Sequence, residues 1–211
     1  MRTERFIEFL ACQAGPAPRR VVATRLGTAI TVGLLASAVM AVRTLGLNPG
    51  LADGGVGLTI KLTYVLAMVA AATWFAARMS RPAMHWGRPV LALALVVFCM
   101  AALAVVASTI EPESLRIGRL LGRTWVSCPW LVALLSAPAL IAALWAMRGL
   151  APTHLHLGGF AAGLLAGAVG TLGYTLHCPE LTPEFVLVWY TLGMLTTAGV
   201  GAVLGPHALR W

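Results

Sequence analysis

Charge is what this sequence has least of. Asp, Glu, Lys and Arg make up only 10% of its 211 residues, against roughly 25% in a soluble domain. There are seven acids in all, and lysine occurs once, at Lys61. With 59% hydrophobic residues and a mean hydropathy of +0.86, a fold bathed in water is excluded. Long polar stretches are missing too. Outside the apolar runs the chain offers an N-terminal segment of about twenty residues and two loops of about fifteen, too little for a separate core. No Cys-x-x-Cys pair occurs among the four cysteines, so the common signature of thiol–disulfide exchange enzymes is absent. No short apolar core followed by a small-residue cleavage site opens the chain, so the first apolar helix is expected to act as an uncleaved anchor.

What the sequence does contain is apolar runs at Leu26–Val42, Leu58–Ala77, Val90–Ile110, Trp125–Met147, Leu155–Leu176 and Phe185–Leu204. A span needs about 17–25 helical residues, and its backbone polar groups must be paired within the segment. The expectation is an all-α membrane protein, a six-transmembrane-helix bundle. Residues 1–24 form a tail and residues 25–211 the membrane domain, with the short first run extending back toward Val21.

Six spans put both termini on one side. That side carries Arg2, Arg5, Arg19, Arg20, Arg25, Arg78, Arg81, Arg88, Arg148 and Arg210. The other holds Arg43, Lys61, Arg116, Arg119 and Arg123, together with Asp53, Glu111, Glu113, Glu180 and Glu184. Cytoplasmic loops hold the excess of Lys and Arg, so both termini are expected in the cytoplasm. The net charge of +8 comes from arginines scattered at helix ends, where they reach membrane lipid headgroups. They do not form a groove for direct nucleic-acid binding.

The segment Thr3-Glu-Arg-Phe-Ile-Glu-Phe-Leu-Ala-Cys12 has the pattern of an amphipathic helix. Thr3 is suited to the N-cap and Glu4 to the positive end of the dipole. Phe6, Phe9 and Leu10 stand at i, i+3, i+4, with Ile7 on the same face. Ala14-Gly-Pro-Ala-Pro18 ends the helix in an extended spacer. One reading is an interfacial helix on the inner leaflet. The other is a docking peptide that offers Phe6, Ile7, Phe9 and Leu10 to a groove on a soluble partner. Glu4 and Glu8 weigh against adsorption to an anionic leaflet, and a helix this short is marginal alone. Cys12 reads as a small apolar residue in a reducing compartment.

Cys128 and Cys178 each precede a proline, in Thr124-Trp-Val-Ser-Cys-Pro-Trp130 and His177-Cys-Pro-Glu180. Both fall at the outer edge of an apolar run. Proline marks a helix end, where backbone groups are free and thiols are expected to be accessible. Three readings stand: a reversible disulfide in an oxidising compartment, capture of a soft metal by Cys128 and Cys178 with His177 or Glu180, and a permanent disulfide staple. Bridging requires Cα atoms within about 7 Å. Two thiols on the outer side suggest a sensor more than a catalyst.

The remaining polar residues speak more softly. Cys99, mid-span, is expected to be core packing. Lys61 is expected to snorkel to the outer surface with Asp53 in reach, and His154 and His156 at i, i+2 make a poor metal pair on a helix. No charge falls at a bilayer centre, where pumps and coupled transporters usually need one. That weighs against the alternative of a metal or small-molecule transporter; a membrane thiol oxidoreductase is the other rival. Gly159-x-x-x-Gly163-x-x-x-Gly167, with Gly158, Gly170 and Gly173, favours close helix packing inside the bundle.

Gly173-Tyr-Thr-Leu-His-Cys-Pro-Glu180, Phe185-Val-Leu-Val-Trp-Tyr190 and Gly205-Pro-His-Ala-Leu-Arg-Trp211 together resemble the NrsF family, six-helix bacterial inner-membrane proteins that act as anti-sigma factors. The resemblance extends over the short tail, Lys61-Leu-Thr-Tyr64 and Gly122-Arg-Thr-Trp125 through Cys128. It implies a regulator rather than an enzyme, without a resident cofactor. It implies an extracytoplasmic-function (ECF) sigma factor of the SigF type as partner, held by the N-terminal tail. It also implies sensing by Cys128 and Cys178 of oxidant or of a transient heavy-metal ion reaching the periplasm. Cys12 and Cys99 lie outside the family pattern.

Overall fold

The computed structural model describes residues 3–13, 20–51, 54–81, 87–110, 112–150 and 152–210. Asp53, expected near Lys61, and Glu111 lie outside the described residues. The helices are α1 (Thr3–Gln13), α2 (Val21–Thr44), α3 (Val56–Met79), α4 (Gly87–Ile110), α5 (Glu113–Leu121), α6 (Cys128–Arg148), α7 (Leu155–Tyr174) and α8 (Pro183–Ala208). Of these, α2, α3, α4, α6, α7 and α8 are long and apolar enough to cross a membrane. The 20 residues of α7 reach about 30 Å at 1.5 Å per residue, the thickness of the hydrocarbon layer. The protein is a multi-pass helical membrane protein.

α7 is the centre of the bundle and packs against α2, α3, α6 and α8. Its sequence explains why: small residues along its length let neighbouring backbones approach. A Cβ on Gly159 would lie 2.7 Å from Gly205 Cα, and one on Gly163 would lie 2.8 Å from Ala198 Cα. The approach is reciprocal, since a Cβ on Gly201 would lie 2.8 Å from Gly163 Cα. On its other sides Gly170 faces Ser136 of α6 and Gly173 faces Ser37 of α2. In lipid, contacts of this kind replace the hydrophobic effect as the force holding helices together. The glycine pattern therefore serves packing within the bundle, as its spacing suggested.

α4 is the opposite case. It is apolar all round, touches α3 and the first turns of α8, and leaves Leu91 and Phe98 largely exposed. Cys99 is exposed on this helix, against the expectation of core packing. A helix apolar on every face does not reveal from sequence which face turns inward.

Other departures are local. α6 begins at Cys128 rather than Trp125, and α7 ends at Tyr174. α5 lies where a loop was expected, and α8 opens two residues earlier than expected, with a π-helical stretch at Val186–Tyr190. Adjacent spans run antiparallel: the end of α6 meets the start of α2, and the start of α7 meets the end of α8. One end of the bundle thus gathers Arg25, Arg78, Arg88, Arg148 and Arg210. The other gathers Lys61, α5, Cys128 and Cys178.

Candidate functional site

At the thiol end, two helix boundaries bring the cysteines into one place. Cys128 is the first residue of α6, with its N–H donating to Thr124 O at 2.9 Å. Pro129 follows at the first turn, where its missing N–H costs nothing. Cys178 lies four residues beyond α7, yet it is tied to it. The His177 and Cys178 N–H groups both donate to Tyr174 O, at 3.0 and 3.1 Å. Both thiols belong to one buried core cluster, and the Tyr174 hydroxyl faces both.

The thiols are not accessible, which corrects the sequence expectation. Cys128 is 0% exposed and Cys178 is 1% exposed. The reason is the chain around them. The turn after α5 docks on the segment carrying Cys178: Arg123 N donates to Glu180 Oε1 at 2.7 Å, and Thr182 Oγ1 donates to Arg119 O at 3.1 Å. Trp189 Nε1 donates to Leu120 O at 2.8 Å, and Arg119 pairs with Glu184 at 3.5 Å. Gly122 makes this approach feasible. Its φ is +56°, and a Cβ there would lie 2.7 Å from the Phe185 ring and 2.9 Å from the Glu180 carboxyl carbon. Both the backbone conformation and the space call for glycine.

Lys61 departs furthest from expectation. Rather than snorkelling to the surface it is 0% exposed. Its ammonium donates to Cys178 O at 2.7 Å and to Glu180 O at 3.0 Å, and stands 5.3 Å from the centroid of the Tyr190 ring. It is the one buried charged residue among those described. The two carbonyls lie in the non-helical segment between α7 and α8, where no helix partner serves them, and a buried carbonyl without a donor is costly. Lys61 therefore ties α3 to the backbone that carries Cys178.

Aromatic rings complete the shell. Tyr174 and Tyr190 meet at a tilt of 58° with 5.8 Å between centroids, and Phe185 meets Tyr190 edge-on at 6.5 Å. Tyr64 and Thr191 share a hydrogen bond of 2.6 Å. The Tyr190 hydroxyl is fully buried and faces Cys178, yet makes no hydrogen bond of good geometry. Trp189 and Tyr190 sit in the π-helical stretch, a form that often marks functional positions. Trp125, Val126, Pro129, Trp130, Trp189, Leu192 and Thr196 line an external cleft of about 300 Å³ beside the Cys128–Pro129 turn.

The other suggested metal ligands are otherwise engaged. His177 Nδ1 lies 3.2 Å from Gly46 O, and the Glu180 carboxylate accepts the Arg123 N–H. Among the described residues no three His, Cys, Asp or Glu side chains converge to hold a metal. Two sulfurs with no third ligand can do two things: lose two electrons to form a disulfide, or hold a soft cation between two thiolates. In the tail, α1 forms over the span expected, with Ile7 and Phe9 exposed. The side chains of Phe6 and Leu10 lie outside the described residues.

Fold and site define a class: a six-span all-α membrane protein with a buried dithiol, braced by the chain's single lysine, at one end of the bundle. The chain belongs to the NrsF family, negative regulators of sigma F, whose family model matches residues 10–211. It is 40% identical to a probable anti-sigma-F factor NrsF of Azospira oryzae. It is 36% identical to an anti-sigma-F factor NrsF of Caulobacter vibrioides, and both alignments cover all of each chain. No solved structure matches.

Sequence reasoning singled out both cysteines but missed Tyr174, Tyr190 and the buried place of Lys61. A lone lysine near a span's edge was a signal, since a snorkelling role is open equally to arginine.

Proposed function

We propose that this chain is a membrane-bound anti-sigma factor whose dithiol controls its grip on an ECF sigma factor of the SigF type. It sits in the bacterial inner membrane with both termini in the cytoplasm and the thiol end facing the periplasm. The excess of arginine at the end where α2 begins supports that orientation. The tail, residues 1–24, binds the sigma factor through the apolar face of α1, including Ile7 and Phe9, and keeps it from RNA polymerase.

The observation that carries the sensing role is the convergence of Cys128 and Cys178 on Tyr174 in a buried shell braced by Lys61. An oxidant takes two electrons and two protons from the thiols and leaves a disulfide. A soft metal ion displaces the same two protons and bridges the thiolates. In either case the start of α6 is drawn against the end of α7. α6 runs from Cys128 to Arg148 and is capped by Gly149, against which the Arg25 side chain of α2 lies. α2 in turn follows directly on the tail. A movement at the thiols thus has a continuous helix to travel along. A differential affinity of about 3 kcal/mol would change sigma-factor binding more than a hundredfold, within the reach of thiol–disulfide chemistry, where about 30 mV equals 1.4 kcal/mol.

The test is gentle purification of the full chain, and of one lacking residues 2–20, from cells expressing the candidate sigma factor. Capture by the full chain only, lost on treatment with oxidant or heavy metal, is the expected result. Capture that persists without the tail would move the binding surface elsewhere. Release that persists in Cys128→Ser and Cys178→Ser would remove the dithiol from the mechanism.

A further inference from the structure

At the opposite end, two arginines share a cleft with no acid among the described residues that line it. Arg25 of α2, Arg148 and Trp145 of α6 and the helix-capping Gly149 enclose about 280 Å³. Neither guanidinium has a hydrogen-bond or ion-pair partner among the described residues, whereas Arg116 and Arg119 at the thiol end pair with Glu113 and Glu184. Arg25 also sits directly against Gly149. A Cβ on Gly149 would overlap its Nη1 and Cζ and lie 2.9 Å from Nη2, so the guanidinium occupies the space where any other residue would put a side chain. Two cations seated together with their donors unused repel each other until an anion joins them.

The flanking surface shows which anion. Leu134, Ile141 and Trp145 are 54%, 71% and 68% exposed. With Arg148 they follow at intervals of seven, four and three, one stripe along α6. On α2, Thr28, Val32 and Leu35 form an exposed stripe that begins at Arg25. α2 and α6 pack together, so an apolar track along the bilayer-facing surface leads up to the two guanidiniums. The tryptophan stands where aromatic side chains mark the interface.

We propose that the Arg25–Arg148 cleft binds the phosphodiester headgroup of an anionic phospholipid, with its acyl chains on the track past Trp145 and Ile141. Arginine forks suit phosphate oxygens in paired hydrogen bonds, and basic pockets between spans take such headgroups. A bound lipid would hold the root of α2 against α6, next to the point where the tail leaves the membrane.

The test is native mass spectrometry of the full-length protein with phosphatidylglycerol, phosphatidylcholine and inorganic phosphate. Phosphatidylglycerol should be retained about tenfold over phosphatidylcholine. Arg25→Gln with Arg148→Gln should abolish that preference. Arg81→Gln with Arg88→Gln, equal in charge change but outside the cleft, should keep it. Gly149→Ala, which leaves every charge in place and displaces Arg25, should weaken it and guards against misfolding of the double variant. An unchanged preference in both the Arg25/Arg148 and Gly149 variants would overturn the proposal. So would displacement of the lipid by millimolar inorganic phosphate, which would make the cleft a free-phosphate site. Loss of sigma-factor capture in the double variant with lipid preference intact would overturn it in favour of an acidic protein partner.

Discussion

The two ends of this bundle handle charge in opposite ways. At the thiol end the lone lysine is buried, its ammonium matched to two carbonyls and an aromatic face, and arginine finds glutamate. At the arginine end, Arg25 and Arg148 meet in an open cleft with no acid among the described residues that line it. Burial makes each polar group at the first end depend on a specific partner, because water is not there to replace it. Exposure at the second leaves the side chains free to take partners from outside. The thiol end is accordingly built for one arrangement that a covalent or metal-binding event can upset, and the arginine end for exchange with its surroundings.

That contrast predicts a graded response to substitution. Lys61→Met should be the most damaging change, since it strands the Cys178 and Glu180 carbonyls; the cost should be about 2–5 kcal/mol of unfolding free energy in mixed micelles. A loss below about 1 kcal/mol would mean that water replaces the ammonium and that this end is not dry. Gly159→Ala, which forces α7 from α8 at their closest crossing, should cost about 1–3 kcal/mol by the same measurement. Cys178→Ser should cost about 1 kcal/mol, a hydroxyl being poorer than a thiol in an apolar shell. Its larger signature should be loss of oxidant-induced disulfide, read by mobility on non-reducing gels. Tyr190→Phe removes a hydroxyl that makes no hydrogen bond among the described residues and should leave stability unchanged or raise it by up to about 1 kcal/mol; a marked loss would show that the hydroxyl is bonded to the Cys178 thiol. At the other end, Arg148→Gln should not move the thermal midpoint in detergent, and its effect should appear only when anionic lipid is supplied. A destabilised Arg148 variant in lipid-free detergent would erase the distinction between the two ends.

Sequence alone determined a good deal of this. Apolar run length set the number of spans, because only a helix of that length satisfies its own backbone in lipid. The spacing of Gly159, Gly163 and Gly167 foretold close packing inside the bundle. The Cys-Pro pairs marked the two thiols, and the pattern of Phe6, Ile7, Phe9 and Leu10 placed a helix in the tail. What composition could not tell was facing. In a helix apolar on every side, nothing local says that Cys99 turns outward. The same holds for Lys61, Cys128 and Cys178, each near the edge of a span, where exposure was the natural expectation. Tertiary structure decided otherwise, since their burial depends on α5 and the segment after α7 closing over the bundle's end. The cleft of Arg25 and Arg148, more than a hundred residues apart in the chain, likewise exists only because α2 and α6 pack together and bring two like charges into one place. Local pattern records what a residue can tolerate; which partners it meets is a property of the packed chain, because burial and electrostatics are set by groups distant in sequence.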